Sequence, residues 1–222
     1  MSILSVDERE TVRRHLNALV HPVRLLFFTQ TFGVPETVAQ AKQILDEVAS
    51  LNDLVTIDEA NFVLDKDRAA AFGVEGIPAI VVMRGTDDTR MRFLGAPAGY
   101  EFMSLIEAVL VAGTDDSGLT EESRALIGQV TEPVDIKVFV TPTCPHCPRA
   151  VTLAHKMAMS SALITATCVE ATEFMDLSRM YRVTGVPKTV VNGTIEILGA
   201  LPENEFVRAV LDRPSATEPP LL

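Results

Sequence analysis

Thr143-Cys144-Pro145-His146-Cys147-Pro148 stands between an apolar run, Ile136 to Val140, and a helix-patterned stretch reaching residue 160. Two residues three apart at a helix start present their side chains on one face. Their Cα separation then falls in the range a disulfide tolerates. Such a pair can cycle between dithiol and disulfide with little backbone movement. The unpaired N–H groups and positive dipole end of the helix favour a thiolate. The spacing predicts Cys144 at the cap, exposed, and Cys147 one turn in, shielded. Cys144 is therefore the candidate nucleophile, and Cys147 the residue that attacks the resulting mixed disulfide. Pro148 is tolerated because first-turn N–H groups have no intrahelical partner. His146, beside Pro145 between the thiols, further stabilises the thiolate when partly charged.

Zinc is the competing reading of Cys-x-x-Cys. A full site wants two more ligands at suitable spacing, and Cys168, His155 and the distant histidines supply no second pair. The site residues thus include no metal ligand, and the chemistry needs no bound organic cofactor.

Outward from this motif the chain reads twice. Arg24 to Thr31 matches Ile136 to Thr143, both apolar runs ending in Thr-x-Thr. Phe72-Gly73-Val74-Glu75-Gly76-Ile77-Pro78 matches Tyr181-Arg182-Val183-Thr184-Gly185-Val186-Pro187, Phe93-Leu94-Gly95-Ala96 matches Ile197-Leu198-Gly199-Ala200, and Glu101-Phe102 matches Glu205-Phe206. Four matches in one order indicate a duplication. Each copy opens with an amphipathic helix: the first with Ser5 and Glu8 as a capping box, the second with a Thr120 cap. The second copy's elements fall near 120–130, 135–141, 145–160, 162–169, 173–182, 187–192, 195–199 and 203–212. Asn192-Gly193 marks a hairpin turn. A strand–helix–strand start followed by a hairpin predicts an α/β fold with a mixed sheet flanked by helices in each copy. The predicted division is 1–117, 118–213 and a loose proline-containing tail, 214–222.

These motifs resemble a thioredoxin/glutaredoxin-fold redox site. The doubled chain resembles the protein disulfide oxidoreductases, glutaredoxin-like proteins of two fused thioredoxin folds, from about Val20 to Leu211. The resemblance implies two tandem thioredoxin-like domains and a thiol–disulfide oxidoreductase that reduces, forms or shuffles protein disulfides. Pro187 matches the proline that is cis in this fold and packs on the cysteine pair. Val186 offers backbone groups to an extended substrate peptide, with Thr143 on the substrate side. A buried acid near the shielded cysteine serves as proton relay in such enzymes. The position six before Cys144 is Val138, so Glu170, at the end of the next strand, is the substitute candidate. The implied partners are protein disulfides or dithiols, an NADPH-linked reductase of the thioredoxin-reductase type as donor, and, in the alternative of a dedicated electron shuttle, a peroxiredoxin. A shuttle without flavin or nucleotide domain needs a separate reductase. A peptide-binding or chaperone module is the non-enzymatic alternative.

The first copy departs at the key place. Thr31-Phe32-Gly33-Val34-Pro35-Glu36-Thr37 holds no cysteine and reads as one residue short, while Pro78 survives. This copy is a scaffold, a peptide-binding surface or a docking site for a donor; Phe32 and Val34 could grip unfolded chains. Cys168, in an alternating strand, reads as a buried inert thiol. His155 reads as an amphipathic surface residue.

Composition narrows the rest. The 222 residues are 47% hydrophobic and carry a net charge of −11. That suffices for a core, and with no Lys/Arg run it argues against nucleic acid as partner. Three cysteines are too few for a disulfide scaffold. No apolar stretch approaches a membrane span, and the N-terminus reads as a helix, not a signal peptide. The expected location is the cytoplasm.

Overall fold

The computed structural model describes residues 3–31 and 35–212. Phe32, Val34 and the tail at 214–222 lie outside the described residues.

The first half runs α1 (Val6–Leu16), β1 (Val23–Thr29), α2 (Glu36–Ala49), β2 (Val55–Asn61), α3 (Lys66–Ala71), β3 (Ala79–Arg84), β4 (Asp87–Leu94) and α4 (Glu101–Gly113). The second repeats the order with α5 (Glu121–Ile127), β5 (Val134–Val140), α6 (Cys147–Ser160), β6 (Ile164–Glu170), α7 (Met175–Met180), β7 (Lys188–Val191), β8 (Ile195–Leu198) and α8 (Glu203–Leu211). Local chemistry fixes several ends. Ser5 and Glu8 form a reciprocal capping box at α1. The Thr120 side chain accepts from the Ser123 N–H at α5. Asn192 and Gly193 both take positive φ in the β7–β8 turn, the conformation an Asn-Gly pair permits at little cost.

The strands form one eight-stranded sheet in the order β2-β1-β3-β4-β6-β5-β7-β8. β4 pairs in parallel with β6, from Met91 with Ala166 to Leu94 with Val169, so the sheet runs unbroken from one half into the other. The sequence repeat implies a mixed sheet in each copy; their fusion edge to edge is a feature of the pairing, carried by Met91, Phe93, Ala166 and Cys168, all buried. Alternation along the strands feeds two apolar layers. Leu25, Phe27, Phe93, Ile136 and Val138 face α1, α2, α4, α5, α6 and α8. Leu26, Phe28, Phe139 and Val190 face α3 and α7.

α4 packs against α6, so the first half covers one side of the helix that follows the cysteine motif. The predicted 117/118 division falls in the connection between α4 and α5. No helix among the described residues is long and apolar enough to cross a membrane.

Candidate active site

β5 ends at Val140, and the Cys144 N–H donates to the Thr141 carbonyl at 3.1 Å, turning the chain back toward α6. Cys144 and Cys147 are joined in a disulfide with a Cα separation of 5.5 Å. Cys144 keeps 8% exposure and Cys147 none. Cys144 is thus the more accessible sulfur of the two, though less open than its place at the cap suggests, because Thr143, Pro145 and His146 stand exposed around it. Cys147 is the first residue of α6 rather than one turn inside it, with Pro148 in the first turn, where its missing N–H leaves no bond unmade. His146, at the cap, makes no side-chain cap bond, which leaves the first-turn N–H groups without a side-chain cap from it.

The Val186–Pro187 peptide is cis. Lys188 pairs with Phe139, which sets Pro187 and Val186 at the same end of β5 as the cysteine loop. Val186 is half-buried. A Cβ on the neighbouring Gly185, or on Gly199 beyond β8, would meet nothing within 4 Å, so this edge is open.

The corresponding edge of the first half is closed. Ile77–Pro78 is also cis, and Ala79 pairs with Phe28 as Lys188 pairs with Phe139. Phe28, not Phe27, thus corresponds to Phe139. With that one-residue correction the β1–α2 and β5–α6 connections have the same length, and nothing is missing from the first copy. Glu36 opens α2 where Cys147 opens α6. A Cβ on Gly76 would lie 2.7 Å from the Phe174 ring, and Glu173 Oε1 accepts from the Ala96 N–H at 2.8 Å. The turn after β6 therefore fills, in the first half, the place left open in the second.

Glu170 belongs to that turn. It is buried, and its carboxylate accepts from the Thr172 hydroxyl and from the Glu173 N–H at 2.6 Å. A second buried acid escaped the sequence reading. Glu101, the first residue of α4, is 1% exposed. Its Oε2 accepts from Ser104 at 2.6 Å and from the Cys168 thiol at 3.8 Å, while Oε1 is buried without a hydrogen-bond partner. Burial raises its pKa to about 7. Glu101 directly follows Tyr100, whose N–H donates to the Pro142 carbonyl at 3.0 Å, two residues before Cys144. The free thiol of Cys168 is buried, and burial first, then Glu101, push its pKa well up.

His155 is buried rather than on the surface. Its Nε2 lies 3.2 Å from the Arg92 carbonyl oxygen and its ring meets Phe93 edge-on at 4.9 Å. Burial lowers its pKa to about 4. The β4–β6 pairing brings Arg92 and Phe93 over a helix face that the sequence alone leaves to solvent.

Residues 134–212 match the model of the thioredoxin domain. The protein disulfide oxidoreductase of Aeropyrum pernix superposes with a TM-score of 0.84 at 28% identity, covering 93% of this chain and 92% of that one. A domain of the alkylhydroperoxide reductase AhpF from Enterococcus faecalis gives a TM-score of 0.87 at 24% identity, covering 93% of this chain and 99% of that one. In sequence, the alkyl hydroperoxide reductase protein of the same type from Escherichia coli is 26% identical over 194 residues, 86% of this chain. The chain spans about a third of the length of that relative, 34%. A thioredoxin domain is thus matched in the second half, and over nearly its whole length the chain is similar in fold to a protein disulfide oxidoreductase.

Proposed function

We propose that the chain carries electrons between proteins through the Cys144–Cys147 pair alone. The supporting observation is a disulfide at the start of α6 beside an open strand edge, in a chain whose other half has no cysteine. In the reducing direction the Cys144 thiolate attacks a substrate disulfide, and one substrate sulfur leaves as a thiol. Cys147 then attacks Cys144 Sγ, breaking the mixed disulfide and releasing the second substrate thiol. Two electrons and two protons pass to the substrate, and a dithiol donor protein restores the pair. His146 and the helix terminus favour the Cys144 thiolate. Pro145 holds the spacing, and Thr143, Val186 and Pro187 form the substrate side, with Val186 pairing an extended peptide.

Two buried acids, Glu170 and Glu101, are the candidate proton acceptors for Cys147. Glu101 has a pKa near neutrality and an unpartnered oxygen, whereas both Glu170 oxygens accept bonds within their own turn.

The partners are dithiol and disulfide proteins of a cytoplasmic redox chain. The kinship with alkyl hydroperoxide reductase favours a peroxiredoxin as acceptor and an NADPH-linked flavin reductase as donor. Insulin reduction by dithiothreitol tests the chemistry: Cys144→Ser is expected to fall to the uncatalysed rate, and undiminished turnover overturns the proposal. A Cys147→Ser trap separates the partners. Capture of one peroxiredoxin supports the shuttle; capture of many clients supports a general oxidoreductase.

A further inference from the structure

The first half reaches the redox loop through the segment Gly99–Tyr100. Tyr100 donates its N–H to the Pro142 carbonyl at 3.0 Å. Gly99, with φ +59°, runs so close that a Cβ there would collide with the Pro142 carbonyl oxygen and lie 2.9 Å from the carbonyl carbon and 3.1 Å from the ring carbon Cβ. These are backbone and ring atoms, which cannot swing aside as a flexible side chain can. Pro142 precedes Cys144 by two residues, and the Cys144 N–H is itself bonded to Thr141. The loop carrying Cys144 is thus held by its own turn and, from the side, by the first half. Gly85 provides the contrast: its φ is +57°, yet a Cβ there would meet only a Pro22 ring carbon at 3.9 Å.

We propose that Gly99 and Tyr100 are positioning residues through which the cysteine-free half sets how readily the Cys144–Cys147 disulfide opens. The proposal rests on the reading of that pair as the redox centre. Closing the disulfide requires Cys144 to stand within a narrow range of distance from Cys147, whereas the dithiol tolerates a wider one. Displacing Pro142 therefore costs the disulfide form more than the dithiol form. The equilibrium with glutathione, in which one protein disulfide and two glutathione thiols give the dithiol and one glutathione disulfide, shifts toward the dithiol.

The test compares the full chain with Gly99→Ala, Tyr100→Pro and Gly85→Ala. Tyr100 has φ −64°, which suits proline, and proline removes the N–H that binds Pro142. Each protein is equilibrated with reduced and oxidised glutathione, quenched in acid and resolved by mass, with its thermal midpoint recorded alongside. Gly99→Ala and Tyr100→Pro are expected to move the equilibrium constant toward dithiol about tenfold, about 30 mV. Gly85→Ala, which carries the backbone strain without the contact, is expected to stay within about twofold. If Gly99→Ala does not fold, Tyr100→Pro carries the test against the same threshold. Variants that lose stability but keep the wild-type equilibrium overturn the proposal, as does an equal shift in Gly85→Ala. A wild-type pair that does not exchange with glutathione overturns the functional reading itself.

Discussion

Replacing Glu101 by glutamine exposes a balance between two buried groups. Burial raises the Glu101 pKa from 4.5 to about 7, so folding favours its protonated form. Its contribution is fully present below pH 4.5 and is lost as pH rises through 7, a total of about 3 kcal/mol at 1.36 kcal/mol per pKa unit. His155 works in the opposite sense. Its pKa falls from 6.5 to about 4, so its contribution is present above pH 6.5 and lost as pH falls toward 4. Taking the protein from pH 8 to pH 5, Glu101 adds roughly 2.5 kcal/mol and His155 removes roughly 2 kcal/mol. The two groups therefore oppose each other over this interval. Glu101→Gln leaves His155 unopposed, so this variant should lose roughly 2 kcal/mol over the same interval. Urea unfolding of the oxidised protein at pH 8 and pH 5 measures both. A Glu101→Gln variant with the wild-type pH dependence refutes the account of Glu101 as an acid held protonated by burial.

Other outcomes follow from the same contacts. His155→Gln should gain stability on acidification from pH 8 to pH 5, the mirror of Glu101→Gln, in the same urea series. Gly76→Ala sets a Cβ against the Phe174 ring and should cost about 1–3 kcal/mol; the cost should shrink in a Phe174→Leu background, read by thermal unfolding. In the reduced protein iodoacetamide should modify Cys144 first and leave Cys168, whose thiol is buried, untouched until unfolding, as peptide mass mapping would show.

Much of both halves was legible because the signals are local. The Asn192-Gly193 turn, the Thr120 cap and the Ser5–Glu8 box act within a few residues. The cysteine pair was legible for the same reason: spacing at a helix start is a local property. What escaped depends on the halves meeting. Glu101 and Glu205 occupy matching places in the repeat, yet Glu101 is buried and Glu205 exposed. Glu101 opens α4 against Cys168 of β6, whereas Glu205 is the third residue of α8, and an acid in a first turn otherwise reads as a solvated dipole partner. His155 was misplaced on the surface because β4, from the other half, covers its helix face. The strand correspondence slipped by one residue because Thr-x-Thr matched in both copies, whereas the sheet register, Phe28 with Ala79 and Phe139 with Lys188, depends on partners across the sheet.

The division of labour within the pair, Cys144 forming the mixed disulfide and Cys147 resolving it, is open to direct measurement by mass analysis of Cys147→Ser after exposure to a disulfide-bonded peptide. A stable one-to-one adduct is predicted, mapping to Cys144 and absent from Cys144→Ser. An adduct on Cys168, or an equal adduct in Cys144→Ser, contradicts it.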